Sequence, residues 1–335
     1  RKGRGGSEKL HGAVVDHVGH EHTREFREVA EVGAMLARLD GLAGTSVEAE
    51  VAVIQDFENE WAILIGAQVY LGPNTKYRDD CRDHYRPFWE AGVPVDVMDQ
   101  TGPFEKYRLV VAPMSYMLRP GAAKRLRDYV AGGGTLIMTY WSAVVNESDL
   151  CYLGGVPGAG LREVFGVWEE ESQNYFPGES VELAMAPDNP LGLTGRYSAA
   201  DTCSVIHAQG AEVLASYGSD YFAGQPAITV NSFGKGKAYY SASRNEEACL
   251  AEFYGKLIAG LGLKRVLDTD LPRGVTAQMR TDGETKYVFL MNFNDKPAQV
   301  CLDGAYRDEL SGTTVEGSVV LEAYGVMVLS RPEQS

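Results

Sequence analysis

The densest group of residues able to bind a metal lies between positions 16 and 22. His17, His20 and His22 fall within six residues, with Asp16 and Glu21 beside them. Imidazole and carboxylate groups are common zinc ligands, but zinc sites usually use a helical spacing or ligands from separate elements. This segment has neither pattern, so we interpret it as a solvated loop and predict no metal site.

A second possible chemistry is a nucleophile on a tight turn after a buried strand, as in an α/β hydrolase or a glutaminase. Neither GxSxG nor GxCxG occurs in the chain. The strand expected to end at Thr139 is followed by residues 140–143, Tyr-Trp-Ser-Ala, whose bulky residues we expect to be incompatible with such a turn. Cys81 and His84 are three residues apart on an expected helix, but two further ligands for an ion are missing. We predict no nucleophile.

Clustered carboxylates and glycines favour ordinary structural roles. Glu169 to Glu171 and Asp79-Asp80 are typical of charged surface, and spacing alone selects no acid/base pair from them. The triple glycine at 132–134 follows an expected helix and is typical of a helix end. A dinucleotide-binding loop needs GxGxxG directly after the first strand, where this chain has Gln55 to Trp61 instead. We therefore predict no cofactor.

Composition excludes several classes of protein. The chain has 335 residues, with 31 Lys and Arg against 46 Asp and Glu, and a formal net charge of −15. Its 44% of hydrophobic residues is typical of a globular protein and excludes intrinsic disorder. At roughly 100–200 residues per domain, we expect two or three domains. The acidic balance and the lack of a basic run argue against nucleic acid as a partner.

Targeting signals and cysteine usage indicate a cytoplasmic protein. The longest apolar runs, such as 109–112 and 326–329, are far shorter than the ~20 residues of a membrane span. The basic start has no apolar stretch after it, and the missing initiator Met suggests a polypeptide that begins inside something larger. Five scattered cysteines without a CxxC pair are typical of reduced thiols, which we interpret as small buried hydrophobes.

The elements that must position these residues fall into three regions. In the first 45 residues, a strand is predicted over Gly12 to Asp16 and an amphipathic helix from about Thr23 to Leu39. One strand and one helix cannot form a domain alone, so this βα unit should pack on a sheet supplied elsewhere. A glycine-containing linker at 41–45 ends the region.

From Glu48 onwards strands alternate with helices. Apolar strands are predicted at 51–54, 93–98, 109–112 and 136–139, with helices over Arg78 to Ala91 and from Pro120 to the triple glycine. Short apolar strands alternating with helices predict a parallel sheet covered on both faces, a doubly wound α/β domain. Strand runs replace helices between 180 and 243, with a hairpin at 233–237, and a helix over Glu246 to Leu261 closes the domain.

The last 70 residues hold only short strand-like runs. They are predicted at 275–279, 287–292, 298–302, 319–322 and 326–329, with turn residues such as Asp282-Gly283 between them. This spacing predicts a small antiparallel β-sandwich.

In their order and spacing, several segments resemble the C-terminal half of glycoside hydrolase family 42, a family of β-galactosidases. The matching segments are residues 4–15, 51–58 with Trp61, 107–113, 132–136, 144–149 followed by 153–155, and 233–238. The resemblance implies three regions: residues 1–45 as the last βα unit of a (β/α)8 barrel, 46–264 as an amidotransferase-like trimerisation domain, and 265–335 as the C-terminal β-sandwich.

The resemblance also implies an activity. The family hydrolyses terminal β-D-galactosides by a retaining mechanism with two glutamates, both of which would precede Arg1, so no catalytic residue is expected in this chain and the chain alone should be inactive. In the motif Glu8-Lys9-Leu10-His11, Glu8 and His11 match galactose-binding residues of the family. A carboxylate that accepts and an imidazole that donates can distinguish an axial from an equatorial hydroxyl.

The resemblance further implies a homotrimer, closed by a heterologous interface. Trp61, Tyr70 and Trp141 are candidates for that interface or, equally, for the core. Two alternatives remain open. One alternative to the β-galactosidase interpretation is a non-enzymatic α/β scaffold or sugar-binding module. The other is an amidotransferase-like hydrolase, which the missing nucleophile turn disfavours.

Overall fold

The computed structural model describes residues 1–67 and 76–333. The chain divides into two compact units, each treated by itself below. One unit joins Arg1–Glu48 with Leu267–Ser335, and the other is Ala49–Val266. In the described part of the chain, no helix is both long and apolar enough to cross a lipid bilayer.

Residues 1–48 contain the predicted helix but not the predicted strand. Helix α1 (Arg24–Leu36) begins at Thr23, whose side chain accepts a hydrogen bond from the Phe26 N–H, and it continues into a 3-10 segment over Ala37–Leu42. Residues 12–16 have an irregular backbone with bends at Val14 and Val15, so the strand prediction is wrong. A strand needs a neighbouring strand to bond its backbone, and within residues 1–48 the structure shows none beside this run.

The larger unit contains the predicted alternation of strands and helices. Its helices in the described ranges are α2 (Phe57–Ala62), α3 (Tyr77–Ala91), α4 (Ala122–Gly132), α5 (Leu161–Phe165) and α6 (Glu247–Leu261). Its strands there are β1 (Val51–Ile54), β2 (Val95–Met98), β3 (Leu109–Ala112), β4 (Thr135–Thr139), β5 (Val167–Asn174), β6 (Val181–Met185), β7 (Arg196–Ala208), β8 (Glu212–Tyr217), β9 (Pro226–Phe233), β10 (Gly236–Ser241) and β11 (Ser243–Asn245).

These strands form one mixed sheet. Strands β2, β1, β3, β4 and β10 are adjacent in that order and parallel, which is the order of a doubly wound domain and confirms that prediction. The sheet then continues without a break through β9, β8, β6, β7 and β11, and β5 pairs with β7. These pairings are antiparallel. The strand-rich stretch after 180 therefore extends the α/β sheet.

Strand β1 explains why the parallel strands are apolar along their whole length. Val51 and Val53 join the core on one face of the sheet, with residues of α3 and α6. Ala52 and Ile54 join the core on the other face, with residues of α4 and α5. Because side chains alternate between the two faces, a strand covered on both sides must be apolar at every position.

The C-terminal residues form small antiparallel sheets. Its strands in the described range are β12 (Val275–Thr281), β13 (Thr285–Asn292), β14 (Ala298–Cys301), β15 (Tyr306–Asp308), β16 (Thr314–Val315), β17 (Ser318–Leu321) and β18 (Val326–Pro332). Five of them form the sheet β12-β13-β18-β15-β16, and β14 pairs with β17. The five predicted runs are confirmed, whereas β15 and β16 were too short to be predicted.

Residues 1–48 are bonded to the C-terminal strands of the same compact unit. Ser46 forms a bridge with Thr281, and the Arg38 guanidinium donates to the Leu310 carbonyl at 2.6 Å. The Arg280 Nε donates to Thr45 Oγ1 at 2.9 Å. Whether residues 1–45 and 265–335 are separate domains stays a prediction.

Candidate functional site

Glu8 and His11 lie together on the surface of the smaller unit. Ser7–Leu10 forms a 3-10 turn, and the His11 N–H donates to the Glu8 carbonyl at 3.3 Å. The turn brings His11 Nδ1 to 3.4 Å from Glu8 Oε2, with both side chains about two-thirds exposed (64% and 71%). Gly3 packs close to Glu8, because a Cβ at Gly3 would lie 2.9 Å from the Glu8 Cβ. The pair can therefore present a donor and an acceptor to one ligand.

The histidine-rich segment is held by its own hydrogen bonds. His17 Nε2 lies 2.8 Å from the Gly3 carbonyl, and the His17 N–H donates to Asp16 Oδ1 at 2.5 Å. That bond lowers the pKa of the Asp16 carboxyl. The rings of His20 and His22 lie 5.3 Å apart. Among residues 1–67 and 76–333, no three His, Cys, Asp or Glu side chains are grouped so that they could hold a metal ion.

In the larger unit, polar residues gather at the carboxyl ends of the parallel strands, where open α/β sheets bind ligands. Asp56 follows β1 and is buried. Its Oδ1 accepts from the Glu58 N–H at 2.9 Å and its Oδ2 from the Gln100 N–H at 3.2 Å. The Asp56 N–H donates to the Tyr77 hydroxyl at 2.9 Å. Asp56 thus begins α2 and joins two strand ends, a role that an acidic residue directly after an apolar strand indicates.

A buried carboxyl and imidazole lie on α3. The Tyr140 hydroxyl donates to Asp80 Oδ1 at 3.2 Å, and His84 Nε2 lies 3.9 Å from the same oxygen. His84 Nδ1 lies 2.5 Å from the Tyr254 hydroxyl. Burial raises the pKa of Asp80 to about 7 and lowers the pKa of His84 to about 4. The prediction that Asp80 belongs to the charged surface is wrong, because α3 turns it inward.

Cys81 is not a nucleophile in this arrangement. Its buried Sγ donates to the Ile54 carbonyl at 3.7 Å. Burial and the neighbouring Asp80 raise the pKa of the thiol, whereas a reactive cysteine needs a lowered pKa. Cys81 and His84 have separate partners and share no ligand position.

The prediction that all five cysteines are buried is confirmed only in part. Cys81, Cys203 and Cys249 are buried as expected. Cys151 and Cys301 are exposed, so the description as buried hydrophobes is wrong for these two.

The turn after β4 has an unexpected backbone. Trp141 adopts a φ of +55°, a left-handed conformation that bulky residues rarely adopt. The indole stacks on Tyr116 with the ring centroids 5.8 Å apart. Ser142 is fully buried, and its Oγ accepts from the Ser115 N–H at 3.1 Å. The sharp turn is present, but its serine supports the backbone.

The three glutamates at 169–171 do not all lie on the surface. Glu169 turns inward, accepts from the Ser172 hydroxyl at 2.6 Å, and has its pKa raised by burial. Glu170 lies 2.6 Å from His207 Nε2, and Glu171 accepts from a tyrosine hydroxyl at 3.0 Å. The surface prediction therefore holds for Glu170 and Glu171 and is wrong for Glu169.

The tryptophans proposed for an interface differ in exposure. Trp61 on α2 is 57% exposed, and Trp141 is half-buried against Tyr116. Tyr70 lies outside the described residues. Trp61 is therefore the candidate whose placement suits a contact with another chain.

Three family models match successive parts of the chain. The model described as beta-galactosidase matches residues 1–39. That of the beta-galactosidase trimerisation domain matches residues 49–264, and that of the beta-galactosidase C-terminal domain matches residues 274–331. The middle match alone covers more than half of the 335 residues.

Curated relatives are similar over the whole chain. Beta-galactosidase BglY of Alicyclobacillus acidocaldarius is 48% identical, with 100% of this chain and 48% of the relative covered. Beta-galactosidase Pbg of Clostridium perfringens is 47% identical, with 99% and 48% covered. The chain thus spans about half the length of the curated relatives it matches.

Solved structures agree with these matches. The cold-adapted beta-galactosidase of Rahnella sp. R3 superposes with a TM-score of 0.92 at 45% identity, covering 99% of this chain and 48% of that one. Beta-galactosidase of Bacillus circulans sp. alkalophilus gives a TM-score of 0.93 at 40% identity, covering 98% and 48%.

Proposed function

The chain belongs to glycoside hydrolase family 42, and from that premise we propose that it is part of a retaining β-galactosidase that hydrolyses terminal β-D-galactosides. The observation that carries the proposal is the ordered match of all three models, together with 48% identity to a beta-galactosidase along the whole chain. The α/β unit also supports the proposal. Its buried Asp80, His84 and Cys81 side chains bond tyrosine hydroxyls or the backbone, so they suit a structural part of an enzyme.

In this proposal the chain supplies binding and assembly, and the reaction is completed elsewhere. A retaining glycosidase needs a nucleophile and an acid/base carboxyl about 5 Å apart. We place both glutamates in the half of the relatives' length that this chain does not match, and none in the chain itself. The chain alone is then inactive.

Glu8 and His11 are the proposed galactose contacts. Their exposure and the 3.4 Å separation leave both groups able to bond adjacent hydroxyls of one sugar. In the complete enzyme, Glu8→Ala or His11→Ala should lower kcat/KM for a β-galactoside by about tenfold or more for each lost transition-state bond. Lys9→Ala, on the same exposed turn, is the matched control and should keep the parental kinetics. Parental kinetics in all three variants would remove the assignment.

We also propose that the chain assembles as a homotrimer. The trimerisation-domain match and the exposed Trp61 support this, and three copies of a 36.5 kDa chain give a particle of about 110 kDa. Light scattering on the purified chain distinguishes this mass from that of a monomer. A monomer at all concentrations would contradict the trimer.

A sugar-binding module without catalysis is the second candidate. The observation that favours it is the exposed Glu8 and His11 pair in a chain whose α/β unit offers no nucleophile among its described residues. Galactose binding by a complete protein that does not turn over β-galactosides would favour the module. Turnover would favour the enzyme.

A cytoplasmic location is part of the proposal. It is supported by five cysteines that are all free thiols, as a reducing compartment would keep them. Cell fractionation with a cytoplasmic marker tests it, and recovery outside the cytoplasm would contradict it.

A further inference from the structure

A cavity of about 260 Å³ opens on the α/β unit between α3, the start of α6, and strands β7 and β11. This volume is just below the roughly 300–1,000 Å³ of pockets that hold drug-sized ligands, so the cavity suits one small ring. Polar side chains from all four elements line it, and the apolar Pro87 and Leu250 complete the wall. The cavity therefore combines a small apolar surface with many hydrogen-bonding groups.

Acidic and basic side chains alternate along one wall of the cavity. The Arg86 guanidinium donates to Glu247 at 2.8 Å and lies 3.5 Å from Asp83. The Arg244 guanidinium donates to Asp83 and to Asp201, at 2.8 Å in both bonds. We call these five side chains the charged row. Along the row, hydrogen-bond acceptors and donors follow each other in strict alternation.

The charges of this row are balanced. Lys76, which lies outside the cavity, donates to Asp201 at 3.0 Å, so three cations pair with three carboxylates. Arg244 and the two carboxylates that it bonds are only 17–25% exposed, so their positions are fixed by the surrounding structure. A balanced row holds no excess charge for an ionic ligand, and it suits an uncharged one.

The wall keeps hydrogen-bonding capacity for such a ligand. A guanidinium has five N–H donors, and Arg244 uses two of them in the row. Glu246 accepts from the Ser198 N–H and hydroxyl at 3.1 and 3.0 Å. Glu90, half-buried on α3, has no ion pair or hydrogen bond within the described part of the chain. Glu90 is therefore the lining carboxylate that is most available to a ligand.

Three other classes of ligand fit this cavity poorly. Glu90 and Glu246 add negative charge beside the row, so phosphate and other anions would be repelled. A divalent metal ion needs several converging ligands, and the described residues contain no group of three that could hold one. An apolar ligand would remove water from the charged row without replacing its hydrogen bonds.

We propose that this cavity binds one pyranose ring and is a second galactose site of the chain. Hydroxyls on neighbouring carbons of a pyranose each donate and accept, so consecutive hydroxyls match a wall on which donors and acceptors alternate. The C–H face of the ring packs on Pro87 and Leu250. The choice of galactose rests on the proposed function, since a β-galactosidase releases that sugar.

The first test fills the cavity. D-galactose is titrated into the purified chain carrying Glu8→Ala and His11→Ala, which lacks the proposed contacts of the smaller unit, and binding is followed by saturation-transfer difference NMR. Adding Ala251→Trp, at the exposed rim of the cavity on α6, should raise the Kd at least tenfold. Ala259→Trp is the matched control, because Ala259 is exposed on the same helix and does not line the cavity. The control should bind galactose as the double variant does.

A smaller substitution protects the test from misfolding. Glu90→Ala removes the available carboxylate and should raise the Kd about tenfold, the effect typical of a lost hydrogen bond to a charged group. Asp79→Ala, on the same helix but outside the cavity, should leave the Kd unchanged. The circular dichroism of all these variants should equal that of the parent, because the substituted side chains are exposed or partly exposed.

Three results would overturn the galactose site. The first is a double variant that binds no galactose, and the second is binding that Ala251→Trp and Glu90→Ala leave unchanged. The third is displacement of galactose by methylammonium chloride, which would assign the cavity to a cation. The proposed function fails separately, if the complete enzyme does not turn over β-galactosides.

Discussion

The chain carries two carboxylate–imidazole pairs with nearly the same spacing and opposite environments. Glu8 and His11 sit three residues apart on an exposed turn, with 3.4 Å between Glu8 Oε2 and His11 Nδ1. Asp80 and His84 sit four residues apart on α3, both almost fully buried, with 3.9 Å between them. The exposed pair is accessible to a ligand, whereas the buried pair is enclosed in the core, where Asp80 accepts from Tyr140 and His84 contacts the Tyr254 hydroxyl. Residue type and spacing alone therefore do not identify a binding site, because burial decides which groups remain free to bind.

Removal of the buried carboxyl should give the largest effect. Asp80→Ala leaves the hydroxyl of Tyr140 without its carboxyl acceptor in the core and removes the carboxyl beside the imidazole of His84. We expect a loss of about 2–4 kcal/mol in the free energy of unfolding, measured by urea denaturation. Asp79→Ala is the control, since the Asp79 side chain is partly exposed and pairs with Arg82 in the next turn. Equal stability of the two variants would contradict the structural role of Asp80.

The pH dependence of stability should separate the two buried groups. Asp80 ionises near 3.8 when unfolded and at about 7 when folded, so its contribution is lost as pH rises through that window. His84 has a pKa of 6.5 when unfolded and about 4 when folded, so its contribution is lost as pH falls from 6.5 to 4. In the parent chain the two effects oppose each other between pH 4 and 6.5.

Asp80→Asn should reveal the contribution of His84 to the pH dependence of the free energy of unfolding. We expect the free energy of unfolding of this variant to rise with pH between 4 and 6.5, by up to about 1.4 kcal/mol per pH unit relative to the parent. His84→Gln should uncover the opposite slope, with stability falling as pH rises. Urea melts at several pH values measure both slopes, and parallel profiles for the two variants would refute this account.

The exposed pair should give the smallest change in stability. Glu8→Gln and His11→Gln remove an exposed contact on a short turn, where ion pairs contribute about 0–1 kcal/mol. We expect their urea midpoints to match the parent, although galactoside turnover of the complete enzyme falls. A clear loss of stability would show that this pair is also structural, and would erase its contrast with Asp80 and His84.

Most of the fold was predictable from local pattern, because burial on both faces demands continuous apolar runs. Strand β1 was predicted with its observed bounds, and α3 was predicted within one residue despite Pro87 in its interior. The strand expected at 12–16 was not formed, since a strand depends on a neighbour that the local sequence does not contain. Strands β15 and β16, of three and two residues, were missed because so short a run has no periodicity.

The candidate site was less predictable, because its chemistry depends on which way each side chain faces. Asp79 and Asp80 are adjacent and chemically alike, yet one pairs with Arg82 at the surface and the other lies in the core. The backbone conformation at Trp141 was not predictable from residue type either. Stacking on Tyr116 stabilises a conformation that the residue type disfavours.

The sequence by itself determined the alternation of strands and helices and the position of Glu8 and His11 in one motif, because these follow from residue type and spacing. The family was reached through the resemblance of several segments in their order. Only the tertiary structure decided that the antiparallel strands extend the parallel sheet, that Asp80 and His84 are sealed inside, and that Gly66 lies against Asp149. These features depend on contacts between residues far apart in the chain. No local pattern encodes such contacts, because they are set by how the elements pack.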